Sequence, residues 1–299
     1  MEFRARRWGI VLLIALMAVP AMMADAAAAT HRTHVRRHRI AHARRLHRGP
    51  PGGVVYARSA VVLDPVTNQV LFEKNAETSA PIASLTKLMT AMVFLDQKPD
   101  LGREVEVTRA ELDGGGHTQL RNHEHVAIID LMHMSLMCSD NVATRVLARE
   151  SGLSPAEFLS AMNKKAMELG LTGTRFVEFT GLDERNVSTA TDVAKMLRAA
   201  ADQELIRSIS TTRSYDFRTE RRAHHIVTTD RLLYSRYEIL GGKTGFINEA
   251  GYCLATWVRS EGRDLIAVVL GAPTNATRFA DVVRLVQKTV KPTFAPTQD

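Results

Sequence analysis

From Ser59 onward, apolar and polar positions divide the chain into strands, then helices, then strands again. "ARSAVVLDPVTNQVLFEKN" reads as two strands about a turn, because Asp64-Pro65 and Thr67-Asn68 put turn chemistry between apolar runs. "PIASLTKLMTAMVFL" (Pro81 to Leu95) is almost wholly apolar or hydroxylic and predicts a buried helix running to about Asp96. "REVEVT" predicts a short strand, and "LDGGGHTQLRNHEHV" a glycine-bearing loop leading into extended chain. From Ile128 to Gly170 the periodicity is mostly helical, broken near Cys138 to Asn141 and again at Gly152 to Pro155. After the second break Ser154, Pro155 and Glu157 form a capping box, and Gly170 ends the helix they begin. "TDVAKMLRAAAD" predicts a further helix, with Thr191 as its cap.

The C-terminal third returns to strands. "RSYDFRT" and "HHIVTT" alternate, and "YEILGGKTGF", "AGYCLATWVRS" and "RDLIAVVLGA" follow as three successive strands. The last is a continuous apolar run, the pattern of a strand covered on both faces. "NATRFADVVRLVQKTV" is an amphipathic closing helix. Strands first and last with helices between them imply an α/β (α+β) fold: a mostly antiparallel sheet flanked by helices, with an inserted helical lobe.

Charge is distributed unevenly. The 299-residue chain carries a formal net charge of +7, yet His31 to Arg48 alone holds seven arginines, five histidines and no acid. The basic character therefore belongs to that segment and not to the domain. With few apolar residues, positions 30–53 are expected to be disordered. They would serve either as a solvated spacer or as a tether to an anionic envelope surface through residues 31–48. Residues 1–29 have a basic start, an apolar stretch and a small-residue end in which Ala24-Asp25-Ala26 fits a cleavage site, so they read as a secretory signal peptide. An uncleaved anchor is the alternative. Export to the periplasm or cell envelope disfavours a nucleic-acid partner. Cys138 and Cys253 are the only cysteines; their apolar surroundings favour free thiols over a pair. The histidines at 117, 123, 125, 133, 224 and 225 lack metal-ligand spacing and read as surface or core residues.

Lys87 interrupts the Pro81 to Leu95 run. A buried ammonium is costly unless it is paired or neutral, and Ser84 stands three residues earlier on the same helix face. Ser84 could simply cap the helix and Lys87 could snorkel to the surface. Alternatively, a desolvated lysine beside a hydroxyl has a lowered pKa and can act as its base. Ser139-Asp140-Asn141 lies at the break between two helices, where a cap or turn is the plain explanation and a second hydroxyl and an amide facing Ser84 the functional one. Lys243-Thr244-Gly245 ends a predicted strand. A phosphate loop would need an earlier glycine and a following helix, and "GGKTGFINEAGYCLATW" has neither. An edge strand offering a cation, a hydroxyl and a backbone N–H to a peptide carboxylate fits better, with Gly245 allowing close approach.

Ser-x-x-Lys, Ser-x-Asn and Lys-Thr-Gly, in that order, form a set shared by penicillin-binding proteins and class A β-lactamases. On these motifs, and on "PIASLTKLMTA", "MNKKAMELGLTGTRFVEFTGL", "NVSTATDVAKML" and "GGKTGFINEAGYCLA", the chain from about Ser59 to Val290 resembles the low-molecular-mass penicillin-binding proteins. These are the serine D-Ala-D-Ala carboxypeptidases and endopeptidases of peptidase family S11. "TRFVEFTGLDERNVSTA" and "KTGF" look closest to the D-alanyl-D-alanine endopeptidase branch, the penicillin-binding protein 7 type. The resemblance implies a DD-peptidase/β-lactamase-like fold, a transpeptidase-like domain over 54–292 and a short tail over 293–299. Little room would remain after Lys243 for the all-β C-terminal domain of larger carboxypeptidases.

It also implies roles. Ser84 would attack the carbonyl of a D-Ala-D-X bond in a peptidoglycan stem peptide. Lys87 would take the Ser84 proton, its own charge suppressed in part by nearby Lys243. Ser139 would relay a proton to the leaving amine, and Asn141 would hold both the substrate backbone and Lys87. Lys243 and Thr244 would bind the terminal carboxylate, Gly245 would admit the substrate, and the N–H groups of Ser84 and Phe246 would form the oxyanion hole. No metal or organic cofactor is implied, and β-lactams would be covalent inhibitors. Two alternatives share the motifs. A β-lactamase of class A would add a Glu-x-x-Leu-Asn loop, which the chain lacks. A non-catalytic peptidoglycan-binding protein could retain the fold.

Overall fold

The apolar run of the penultimate element lies between two cores. In the computed structural model, which describes residues 54–290, Ile266, Val268 and Leu270 pack into one hydrophobic cluster. Leu265, Ala267 and Val269 pack into a second. Successive strand residues face opposite sides, so a strand covered twice shows no polar alternation.

In chain order the elements are β1 (Ser59–Leu63), β2 (Val70–Lys74), β3 (Ala80–Pro81), a 3₁₀ turn (Ala83–Leu85), α1 (Thr86–Asp96), β4 (Glu104–Glu106) and α2 (Arg109–Leu112). Then come β5 (His125–Ala127), α3 (Ile128–Leu136), α4 (Asn141–Arg149), α5 (Pro155–Glu168), β6 (Val187–Ser188), α6 (Ala190–Asp202) and α7 (Glu204–Ser210). The chain closes with β7 (Ser214–Arg218), β8 (Ala223–Val227), β9 (Glu238–Ile247), β10 (Gly251–Ser260), β11 (Arg263–Ala272) and α8 (Asn275–Val290). The main sheet has the order β2-β1-β11-β10-β9, with every neighbouring pair antiparallel. α8 covers one face through Phe279, Val282, Leu285 and Val286, while α1, α6 and the rest of the helical lobe cover the other. β3 pairs with β6, β4 with β5 and β7 with β8.

Most sequence expectations hold at this level. The Asp64–Gln69 turn closes through Asp64 N to Gln69 O (3.0 Å), and Asn68 takes a left-handed φ of 59°. The capping box at Ser154 is present, with Ser154 N donating to Glu157 Oε2 at 2.8 Å and Glu157 N donating to Ser154 Oγ at 3.3 Å. One cap was misplaced: the hydroxyl that accepts from the first turn of α6 belongs to Thr189, bonded from Asp192 N at 3.0 Å, and Thr191 lies inside the helix. Both threonines satisfy the local rule. The antiparallel contact of Ser188 with Ala80 keeps the chain extended up to Thr189 and decides between them. Both cysteines are free, Cys253 buried and Cys138 half-buried. The expected signal segment, the basic segment and the tail lie outside the described residues.

The two-sided burial of β11 makes it sensitive to truncation. Leu265→Ala, fully buried against α8, is expected to lower unfolding stability by about 2–5 kcal/mol in urea titration. Val66→Ser, in an exposed turn, is expected to shift it by less than about 0.5 kcal/mol. Equal midpoints for the two variants would contradict the two-core arrangement.

Candidate active site

Three short segments far apart in sequence meet at one cleft because the lobe and the sheet abut there. Ser84 sits in the 3₁₀ turn that leads into α1, not at a side-chain cap. The residue before it, Ala83, has φ 48°, a left-handed conformation that a non-glycine residue adopts at a cost. α1 buries every residue from Thr86 to Phe94, which puts Lys87 inside the protein with no exposed surface.

The Lys87 ammonium nitrogen makes three contacts. It donates to Ser84 Oγ at 2.9 Å, to Asn141 Oδ1 at 2.7 Å and to the backbone carbonyl of Thr180 at 2.6 Å. No carboxylate contacts it directly. Burial pulls its pKa down to about 7, against the more distant charges of Glu178 and Asp140, which favour the ammonium. Desolvation is the leading cause and the Arg145 cation adds to it; Lys243 stands near enough that the charges of the two amines disfavour each other.

Ser139 and Asn141 flank the junction of α3 and α4. Ser139 has φ 64°, which turns the chain out of one helix; Asp140 then caps the next, accepting from Ala143 N at 2.9 Å. The plain reading of the triplet as a cap is thus true of Asp140 alone. Asn141 begins α4 with its amide facing Lys87, and its Nδ2 is anchored on Gly115 O at 3.0 Å. The glycine loop seen in the sequence therefore has a structural task at the site.

β9 supplies the third wall. Lys243 is buried and donates to Ser139 Oγ at 2.8 Å and to Thr244 O at 3.0 Å. Burial, then the nearby charge of Lys87, hold its pKa well below the ordinary lysine range. Thr244 Oγ1 meets Thr229 Oγ1 at 2.6 Å. At Gly245 any Cβ would lie 2.9 Å from Ile82 O and 3.1 Å from Ser84 N, so only glycine lets β9 run this close to the Ser84 turn. Phe246 is 46% exposed and stacks on Tyr252 with ring centroids 4.2 Å apart.

An open cleft of about 240 Å³ is lined by Ser84, Ser139, Asn141, Thr244, Gly245 and Phe246, with Lys87 and Lys243 buried behind it. Three further residues line it that sequence reasoning missed: Leu182, Thr229 and Arg278. Arg278, on α8, is buried; its Nη1 donates to Gly245 O at 3.1 Å and to Cys253 O at 3.4 Å. Its only signal in the sequence is a cation on the inward face of the closing helix. Among the described residues no group of acids, histidines and cysteines is arranged to hold a metal ion.

The cleft thus offers a hydroxyl bonded to a buried amine of lowered pKa, a second hydroxyl bonded to a second buried amine, and open space between them. That equipment suits acyl transfer through a serine, with the amine taking the serine proton.

Known proteins with the same sequence pattern carry related names. A D-alanyl-D-alanine endopeptidase of Escherichia coli is 33% identical over 290 residues, covering 95% of this chain and 87% of its own length. One from Pseudomonas aeruginosa is 38% identical over 232 residues, covering 76% and 75% respectively. Among solved structures, a Streptomyces DD-transpeptidase superposes with a TM-score of 0.75 at 27% identity, over 79% of this chain and 97% of that one. A penicillin-binding protein from Listeria monocytogenes in its cefotaxime-bound form gives a TM-score of 0.71 at 29% identity, over 81% of this chain and all of the other. The model of the D-alanyl-D-alanine carboxypeptidase family, peptidase S11, matches residues 47–274, and the chain belongs to that family of serine peptidases.

Proposed function

We propose that the chain is a serine DD-peptidase of the endopeptidase kind, which opens D-Ala-D-X cross-links in peptidoglycan stem peptides through an acyl-enzyme on Ser84. One observation carries this reading: Lys87 Nζ lies 2.9 Å from Ser84 Oγ, fully buried, with no acid against it. A base must be neutral to accept a proton, and burial favours the neutral amine at neutral pH. The relatives named D-alanyl-D-alanine endopeptidase support cleavage between stem peptides. Relatives named carboxypeptidase in Streptomyces and Mycobacterium tuberculosis are covered to a similar extent, 82% and 78% of their length, but at 29% identity.

In this reading Ser84 Oγ attacks the D-alanyl carbonyl as its proton passes to Lys87. The backbone N–H groups of Ser84 and Phe246 receive the oxyanion, and each such donor is worth about 10²–10³ in rate. Ser139, bonded to Lys243, returns a proton to the departing amine. Asn141 lines up the substrate backbone, and Lys243 and Thr244 take the carboxylate or its equivalent. The amine leaves, and water hydrolyses the ester. A β-lactam acylates the same serine. The substrate is a cell-envelope polymer. The signal-like start of the sequence supports export, and the seven arginines between His31 and Arg48 support a tether to an anionic envelope surface.

Three outcomes are expected. Incubated with pentapeptide monomers and cross-linked dimers, the protein splits the dimers and Ser84→Ala leaves both pools unchanged, as read by chromatography and mass spectrometry. Loss of terminal D-Ala with intact dimers would instead make it a carboxypeptidase, and rapid turnover of penicillin a β-lactamase. The second-order rate of Ser84 acylation rises with pH as Lys87 loses its proton, with a limb centred at about pH 7 and a fall of about tenfold per pH unit below it. A rate flat through that range would remove Lys87 as the base. Deleting residues 31–48 lowers binding to anionic envelope material, more so at low salt; unchanged binding would leave that segment a spacer.

A further inference from the structure

The Thr180 carbonyl makes the shortest contact to Lys87, yet it belongs to an irregular segment between α5 and β6 that has no helix or strand to hold it. What holds it is the side chain of Glu178. Glu178 Oε2 accepts from Thr180 N and Thr180 Oγ1, both at 2.6 Å. Oε1 accepts from Gly181 N at 2.5 Å and from Asn186 Nδ2 at 2.8 Å. The carboxylate is thereby the hub of a tight turn over residues 178–181.

That turn is tied to α1 at three neighbouring positions. Asn186, fully buried, donates through Nδ2 to Thr86 Oγ1 at 3.2 Å and accepts at Oδ1 from Val177 N at 2.7 Å. Thr90 Oγ1 donates to Phe179 O at 2.6 Å. Lys87 donates to Thr180 O. The next residue, Gly181, has φ 87°, and a Cβ there would stand 2.0 Å from Ala83 O. The turn therefore lies flat against the backbone that presents Ser84.

We propose that Glu178 is the positioning residue for Lys87: its carboxylate folds the 178–181 turn so that the Thr180 carbonyl is fixed on the lysine nitrogen and the nitrogen on Ser84. The inference rests on Lys87 being the base of the proposed reaction. Glu178 is not itself a base for water, because four donors occupy the four acceptor positions of its two oxygens. Its action is indirect, through the turn and through its negative charge. The other charged or titratable groups that act on Lys87 are Asp140 at the head of α4, Cys138 before it, Arg145 on α4 and Lys243 on β9. Glu178 is the leading one among those that favour the ammonium.

The test is the pH dependence of Ser84 acylation by a fluorescent penicillin in the wild type, Glu178→Gln and Glu178→Asp, with melting temperature recorded for each. Glutamine keeps the length but removes the charge and turns one acceptor into a donor against an N–H. The base then ionises at lower pH and is held less firmly. The acidic limb is expected to move down by about one pH unit and the plateau to fall by about tenfold. Glu178→Asp keeps the charge, so its limb stays nearer the wild-type position although its shorter reach lowers the plateau. A merely structural residue would reduce the labelled fraction and the melting temperature and leave the limb where it was, and that result overturns the proposal. So does a Gln variant indistinguishable from wild type. Both differ from failure of the underlying reading, in which wild-type protein itself takes no label or shows no limb near neutrality.

Discussion

An ammonium group buried without a carboxylate in contact is the constraint around which the helical lobe is arranged. Charges taken into a protein interior lose several kcal/mol of hydration, and a lysine so placed tends to lose its proton. Lys87 has three neutral oxygens, from a serine, an asparagine and a backbone carbonyl. They are enough to orient the amine and too few, in an interior this dry, to keep it firmly protonated. Each oxygen comes from a different part of the chain, so the arrangement exists only when the 3₁₀ turn, the head of α4 and the segment after α5 are all in place. A carboxylate against the nitrogen would stabilise the ammonium and remove its value as a base.

Close approach is the second requirement, and it explains the unusual backbone. Ala83 and Ser139 are both left-handed without being glycine, and both sit beside a serine hydroxyl or carry one. Gly181 and Gly245 both pack against the Ser84 turn, and neither could carry a Cβ without meeting backbone atoms of residues 82–84. Strain at such positions persists only where surrounding structure determines it. Here β9 and the Glu178 turn both press on the Ser84 turn and hold its path.

Much of this was legible in the sequence, for definable reasons. The strands of the main sheet could be read because β9, β10 and β11 are long and carry strong apolar patterns. The eight predicted site residues converge because their chemistry is conspicuous in sequence: Lys87 among apolar neighbours, Ser139 and Asn141 at a helix break, Lys243 to Phe246 in a strand without a phosphate-loop pattern. What escaped notice works through the backbone or through ordinary polar residues. Glu178 and Asn186 look like surface polar positions, and their value comes from N–H groups that only the folded turn presents. Thr180 acts through a carbonyl that any residue would supply. Arg278 is one basic residue in an amphipathic helix, and its inward position follows from how α8 meets the sheet. The cap at α6 went to Thr189 over Thr191 because a two-residue strand pair, too short to see in a sequence, fixed the entry angle.

The two buried lysines are not equivalent, and the difference gives the cleft a direction. Lys87 faces the Ser84 turn, α4 and the Glu178 turn; Lys243 faces Ser139, its own strand and a second set of charges, Asp230 and Arg278. Asp230 is itself buried, with its carboxyl raised to about 6 by desolvation, so it carries its charge at pH 7 and loses it in mildly acidic solution. One carboxylate set against the two cations Lys243 and Arg278 leaves the Lys243 end short of negative charge. An anionic ligand group entering there would favour the charged form of Lys243. Because Lys243 and Lys87 repel, that same step would favour the neutral form of Lys87 at the other end. Occupancy of one end would then prepare the base at the other, through the mutual repulsion of two amines in a dry interior.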